Sequence, residues 1–465
     1  MSQAVIHPHP QGNRPTAASI GARLDRMPIG PVHRRLTAVI GVGLLFDTFE
    51  NNLSGTIGKV LQGAFALDAT TLKFVLASTF LGQFLGSLVV GRIADRYGRR
   101  RAFLLNLGLY SVFSLLGAFA PTAGWLIAAR FLAGVGIGSE QVLSDCYLAD
   151  VLPASRRGRF IAWAYTLAYC GVPAVGFAAL YLVPLSPLGL AGWRWLFLIG
   201  SLGSAVVWTL RRGLIESPRW LAARGRVVEA DALVARMEDT APGARPATDT
   251  ADSAVPAGEA PDGAAPRPGA FQPQLRRRTV MLWILCALSV VGYYGFGTLV
   301  PEILAAKGFG VVTSLGFTAL CFMGYPVGSA LAAAVIERIE RRTLVALAAT
   351  AMAVAGIGFG VTRSAALIVV LGFVYTLCSN VFSSACHVYL SEQYPTAIRA
   401  GAGGAAYSLS KLATGALPFV LLPVLQHDGA GALFGVVAAT TAVLVATVLA
   451  LGERTTGVPV DRPLN

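Results

Sequence analysis

Twelve stretches of about 20 mostly apolar residues recur along this chain, at 36–58, 72–94, 101–120, 125–148, 159–182, 193–211, 279–304, 312–336, 343–361, 364–390, 399–424 and 431–451. Each is long enough to cross the roughly 30 Å hydrocarbon core of a bilayer as a helix. Within hydrocarbon every backbone N–H and C=O needs an internal partner, so spans of this kind fold as helices and bury their polar backbone in themselves. Only 13% of the 465 residues are charged, against about a quarter in soluble domains. The expected class is an all-α membrane protein with twelve transmembrane helices.

The net charge of +13 does not point to nucleic acid, because the basic residues cluster at alternate loops. They form HRR at 33–35, RYGRRR at 96–101, RRGR at 156–159, RRGLIESPR at 211–219, RRR at 276–278 and ERIERR at 337–342, with Arg399 beyond. The opposite loops are nearly bare. Loops rich in Arg and Lys stay in the cytoplasm, which places both termini and the central loop there and makes the chain a multi-pass protein of the cell membrane. The domain plan is a cytoplasmic tail (1–35), a six-helix bundle (36–212), a central loop (213–278), a second six-helix bundle (279–452) and a short tail (453–465). Residues 238–274 are rich in Ala, Pro, Gly and acid and carry the composition of a disordered linker, whereas the segment before them has a helical period. The six cysteines lie in spans without CxxC spacing, so no metal site, disulfide framework or cofactor is expected.

The two halves repeat at a fixed offset of 242 positions. Asp95, Arg96, Arg99 and Arg100 match Glu337, Arg338, Arg341 and Arg342; Tyr147, Asp150, Pro153 and Arg157 match Tyr389, Glu392, Pro395 and Arg399; the Gly-Thr closing NNLSGT matches the one closing YYGFGT. A duplicated six-helix unit in one orientation is the parallel repeat of a two-bundle secondary transporter, which handles substrate between the bundles near the midplane.

The segment GRIADRYGRRR, Gly91 to Arg101, closely resembles the cytoplasmic motif of the major facilitator superfamily. RFLAGVGIG, ESPRWL, YLSEQYPTAIRA and the terminal GERTTG are similar to the sugar porter and metabolite:proton symporter branches, and YYGFGTLVPEIL to the aromatic acid:proton symporters. In those last branches a D-G-(Y/F)-D pattern marks the first span; Asp47-Thr48-Phe49-Glu50 fits it with Thr for Gly and Glu for the second Asp. Lys411 stands twelve residues after Arg399, where the branch carries Arg, so the charge is kept and the forked geometry is not. The resemblance implies a conformational latch built from Gly91, Asp95, Arg96, Gly98 and Arg99, their counterparts Glu337, Arg338 and Arg342, and the loop residues Asp150, Arg157, Glu392 and Arg399. Gly98 suits a tight turn, and Asp95 is placed to cap a neighbouring helix, most simply the eleventh span.

Charges inside the spans carry the functional reading, because each costs at least about 2.5–3.5 kcal/mol at the bilayer centre without a partner or a task. Asp47, Glu50, Asn51 and Ser54 fall on one helical face of span 1. Span 4 holds Arg130, Glu140 and Asp145, and span 11 holds Lys411. Four carboxylates against two cations leave spare acids for proton coupling. The proton affinity of a buried carboxylate depends on the cation beside it, so moving one partner switches it. Asp47 or Glu50 is the expected proton carrier with Arg130 as switching partner, and Glu140 and Asp145 complete the coupling set. A static network, with Lys411 on Asp47 and Arg130 on Asp145, is the structural alternative. Lys411 is the expected contact for a substrate anion. Asn51, Tyr293, Tyr294, Tyr169, Asn380 and His387 complete the expected binding set.

The expected function is proton-coupled import of a small polar metabolite, an organic or aromatic acid before a sugar-like compound. Its partners are that small molecule, protons and the lipid bilayer, with no nucleic acid, and the expected functional unit is a monomer. The alternatives are a proton antiporter exporting drugs or a biosynthetic product, against which GVPAVGF is only a fragment of the exporter motif of span 5, and a non-transporting membrane sensor. GVGIGSE lacks the Lys and Ser/Thr of a phosphate-binding loop, so no primary pump is expected; the chain is expected to be a transporter and not an enzyme.

Overall fold

A computed structural model describes residues 16–153, 156–240, 272–336, 338–393 and 396–454; the side chains of 91, 92, 95, 273, 274, 391, 392 and 396–404 lie outside that description. Among the described residues the chain is helical, without strands; ten helices are long and apolar enough to cross a membrane, the bent pair Ala17–Arg26 and Pro31–Thr56 makes eleven, and dividing Thr396–Leu451 at Gly429 is consistent with twelve. Spans 1 to 6 are Pro31–Thr56, Ala69–Tyr97, Arg99–Ala118, Ala123–Val151, Arg157–Leu182 and Gly192–Arg212. Spans 7 to 10 are Pro273–Ala306, Val311–Val335, Arg341–Val361 and Ala365–Glu392. Spans 11 and 12 run almost as one helix, Thr396–Leu451, broken only where Gly429 takes φ 81°.

Spans 5 and 8 are interrupted near mid-membrane at Cys170 and Met323. Pro173 and Pro326 stand three residues further on. A proline removes the bond to the carbonyl four residues back and pushes against it, which accounts for both breaks.

Small residues bring the helices of each bundle together. Added Cβ atoms on Gly82 and Gly86 of span 2 would strike the Phe131 and Val135 carbonyl oxygens of span 4; on Gly134 and Gly138 they would strike those of Thr79 and Gln83. This is reciprocal small-xxx-small packing, which lets backbones touch. The same contact recurs 242 positions on: Gly324 and Gly328 of span 8 abut the Phe373 and Leu377 carbonyls of span 10. The repeat found in the loops thus extends to backbone contacts in the core.

The polar tail before span 1 is not uniformly irregular. Ala17–Arg26 is a helix capped by Thr16 and bent 91° from span 1. It buries Ile20, Leu24 and Met27 against the helices that follow span 6, Pro218–Ala223 and Val227–Asp239. Arg23 pairs with Asp231 and, at 2.6 Å, with Glu238; Asp25 pairs with Arg219 at 2.8 Å and Arg157 at 3.3 Å. Most of the linker, residues 241–271, lies outside the described residues.

Candidate substrate and proton site

Between the bundles lies a cavity with an empty volume of about 900 Å³, part of it open to solvent. Span 1 contributes Asp47, Thr48, Asn51 and Asn52, span 5 contributes Tyr169, span 7 contributes Tyr293 and Tyr294, and spans 10 and 11 contribute His387 and Tyr407. The cavity reaches Leu390, near the end of span 10 that leads to Arg399. At the opposite end the bundles meet tightly: a Cβ on Gly55 would come within 2.7 Å of Thr298 Cα, and one on Gly176 within 2.8 Å of Ala319 Cα. Glu302 of span 7, 6% exposed, faces Lys59 at 4.0 Å on that closed side.

The four carboxylates separate into different environments. Glu50 is sealed inside the first bundle, with Arg130 Nη1 at 2.5 Å from Oε2 and Ser114 donating to Oε1 at 2.5 Å. Arg130 also donates to the Glu50 carbonyl at 2.7 Å and to Thr79 Oγ1 at 3.1 Å. Both partners are essentially inaccessible, and Glu50 does not line the cavity. Gly200 leaves the space for its carboxylate. The alternative pairing of Arg130 with Asp145 is not formed: Asp145 instead accepts a 2.7 Å hydrogen bond from Tyr165.

Glu140 has a partner that sequence reasoning assigned to a cytoplasmic basic cluster. Arg211, in the last turn of span 6, turns inward and lies 2.5 Å from Glu140, both side chains at 0% exposure. The contact is end-on without hydrogen-bond alignment; Arg211 Nη2 reaches the Ile40 carbonyl at 3.5 Å, and its guanidinium rests 4.4 Å from the Phe103 ring centre. Gly43 makes the burial feasible, since a Cβ there would overlap the guanidinium. The residue type and position gave no sign of this, although the neighbouring glycine face of span 1 is visible in the sequence.

Asp47 remains. It is 5% exposed, lines the cavity, and its Oδ1 has no hydrogen-bond partner among the described residues. Lys411, at 4%, sits behind the aromatic wall: its ammonium is 3.4 Å from Tyr294 Oη and lies over the rings of Tyr294 and Tyr407 at 5.5 and 5.1 Å. No described carboxylate is within 4.0 Å of it, so the static Lys411–Asp47 pair is also absent.

Of the other expected binding residues, Asn51 accepts a hydrogen bond from Gln83, and Tyr169 stacks on Tyr325 with centroids 6.5 Å apart. Tyr293 and Tyr294 make an edge contact at 4.8 Å. His387 lies 5.7 Å from the Tyr407 ring, and Tyr407 donates across the bundles to Gln141. Asn380 is placed elsewhere: fully buried, it donates to the Tyr325 carbonyl at 2.7 Å, between spans 10 and 8. The repeat explains this, because 242 positions earlier Gly138 packs on the Gln83 carbonyl, and Asn380 takes the same packing place.

The expected latch is only partly visible. The side chains of Asp95, Glu392 and Arg399, and Glu337 altogether, lie outside the described residues, and Gly91 is described only as part of span 2. Gly98, at φ 101°, makes the turn into span 3. The N-terminus of that span is capped by Glu216 of ESPRWL, which accepts from the Arg99 and Arg100 amides at 2.9 and 3.3 Å. Asp150 accepts from Ser217 at 2.8 Å, so Asp150 and Arg157 make their described contacts within the first half. Arg342 donates to the Gly452 carbonyl at 3.1 Å within the second half, and Arg96 and Arg338 are exposed.

The comparisons agree with this architecture. The family model described as sugar (and other) transporter matches residues 37–461. The niacin transporter NiaP of Acinetobacter baylyi is 29% identical over 437 residues, covering 94% of this chain and 97% of the relative. The inner membrane metabolite transport protein YdjE of Escherichia coli is 30% identical over 425 residues, covering 89% and 91%. Among solved structures, a partially occluded inward-open conformation of the E. coli xylose transporter XylE superposes with a TM-score of 0.76 at 19% identity, covering 92% of this chain and 99% of that one, a likeness of fold. The chain therefore belongs to the sugar (and other) transporter family, and is a multi-pass membrane transporter of the major facilitator superfamily rather than an enzyme.

Proposed function

We propose that the chain imports a small organic anion, an aromatic carboxylate before a sugar, together with protons, by alternating exposure of the cavity between its two bundles. The observation that carries this reading is Lys411, a buried ammonium without a described carboxylate partner, set behind a cavity wall of tyrosines. A buried cation needs an anion, and an aromatic carboxylate offers both the charge and a ring for Tyr293, Tyr294 and Tyr407. The likeness to a niacin transporter supports the same class, niacin being a pyridine carboxylate.

Asp47 is the proposed proton carrier. Glu50 and Arg130 belong to one bundle, and rocking of the bundles leaves their contact unchanged, so Arg130 is not the moving partner. Asp47 faces the cavity, and its distance from Lys411 of the other bundle changes with the rocking, which is what a switch of proton affinity requires. In this reading the open end, which lies on the side of the arginine-rich loops, faces the cytoplasm, as do both termini.

The test is uptake into proteoliposomes of a panel containing benzoate, nicotinate and xylose, with and without an inward proton gradient. An aromatic acid should accumulate under the gradient and leave when a protonophore collapses it. If none accumulates, while preloaded dyes leave cells faster, the direction is export and the proposal is wrong.

A further inference from the structure

The buried charges around the cavity can be counted one residue at a time. In the first bundle Glu50 is balanced by Arg130 and Glu140 by Arg211, and both pairs are neutral. Asp47 is the third carboxylate of that cluster; the charged groups acting on it are Glu140, Glu50 and Arg211 of its own half and Lys411 of the other. Asp145, the fourth carboxylate of the first bundle, accepts from Tyr165, and neither of these two residues lines the cavity, so it stays outside the count. Lys411, buried behind the lining residues Tyr294 and Tyr407, is the cation that the second bundle sets against the cavity among the described residues. His387, which contacts the same Tyr407 ring as Lys411, counts as neutral, because an imidazolium there would set two cations close together.

An empty cavity thus holds one negative charge, Asp47, and one positive charge, Lys411, and sums to zero. A proton on Asp47 alone leaves +1, and an anion beside Lys411 alone leaves −1. Proton and monoanion together restore zero. Net charge in a cleft being closed off from water is expensive, so the two half-loaded forms resist the closure that the empty and doubly loaded forms undergo.

We infer, on the reading of this cavity as a proton-coupled anion site, that the substrate is a monoanion carried with one proton, so that each transport cycle moves no net charge. The proton passes from water at the outer face, when the cavity opens there, to the Asp47 carboxylate and leaves it to water at the cytoplasmic face. A neutral amide leaves the proton's charge unbalanced, and a dianion leaves one negative charge over. By the same count the amide can cross only without a proton and is not accumulated, the dianion is rejected, and slippage of protons without substrate is blocked.

The experiment uses the full chain in proteoliposomes, with uptake corrected for protein-free vesicles. Nicotinate and benzoate are the monoanions, nicotinamide the neutral analogue and pyridine-2,3-dicarboxylate the dianion, at one imposed pH gradient. The membrane potential is set to zero or to 100 mV, inside negative, with potassium and valinomycin. The expected result is accumulation of at least one monoanion, changed less than twofold by the potential, with neither of the other two accumulating. Movement of one net positive charge would raise the accumulation ratio about fifty-fold at 100 mV. A potential effect approaching that size, or dianion uptake equal to that of the monoanion, overturns the electroneutral count and leaves proton-coupled anion import standing. If no monoanion accumulates under the pH gradient, the import reading fails and the inference with it. Lys411→Gln gives a second readout: monoanion uptake should fall at least tenfold, and unchanged uptake contradicts the count.

Discussion

Replacing Glu50 by Gln separates a structural ion pair from a proton carrier. The change keeps the shape and one acceptor oxygen but removes the one carboxylate paired with Arg130 among the described residues, Arg130 being a side chain 1% exposed. Breaking a buried pair by removing one partner costs about 3–5 kcal/mol. Arg130 would keep its bonds to the Glu50 carbonyl and Thr79, which puts the expected loss at the lower end. A loss of about 3 kcal/mol is roughly a 150-fold fall in the ratio of folded to unfolded protein. Asp47→Asn should cost under about 1 kcal/mol, because Oδ1 has no bond to lose. Reversible unfolding in mixed micelles, followed by tryptophan fluorescence, measures both variants against wild type. If Glu50→Gln is as stable as wild type while gradient-driven accumulation disappears, Glu50 is the carrier and the assignment to Asp47 is refuted.

The other predictions follow the same contacts. Arg211→Met should destabilise the protein by several kcal/mol by stranding Glu140, and adding Glu140→Gln should recover much of the loss, measured in the same unfolding assay. Gly82→Leu should abolish folded yield on size-exclusion chromatography because span 4 backbone occupies the added volume, whereas Gly124→Ala, with open space around it, should behave as wild type. Lys411→Ala should raise the apparent KM for an anionic substrate about ten- to a hundred-fold, the worth of one charged hydrogen bond, with an unchanged KM ruling out direct contact.

The architecture was legible because its causes are local. Apolar length sets a span, arginine placement sets the expected sidedness, and the 242-residue offset recurs from the loops down to Gly82 and Gly86 against Gly324 and Gly328. The cavity wall was legible in part, since Asp47 and Glu50 differ by three positions on one helix and the helix rotation decides which meets the cavity. Arg211 was read as a loop residue because an arginine closing a span normally points to water; its burial depends on Gly43 and Phe103, contacts that no single span discloses. Asn380 was misplaced for a similar reason: a polar residue in a span suggests a cavity, but its amide satisfies a neighbouring backbone carbonyl. Glu302 was passed over inside YYGFGTLVPEIL, where its partner Lys59 comes from the other half of the chain.

Exchange and accumulation in Asp47→Asn test the assignment of the proton most directly. With the carboxylate gone and Lys411 intact, the variant should exchange labelled substrate anion across the vesicle membrane at a rate near that of wild type, yet accumulate none above the equilibrium level under an inward proton gradient. Accumulation at the wild-type level in Asp47→Asn would show that the proton travels on another group.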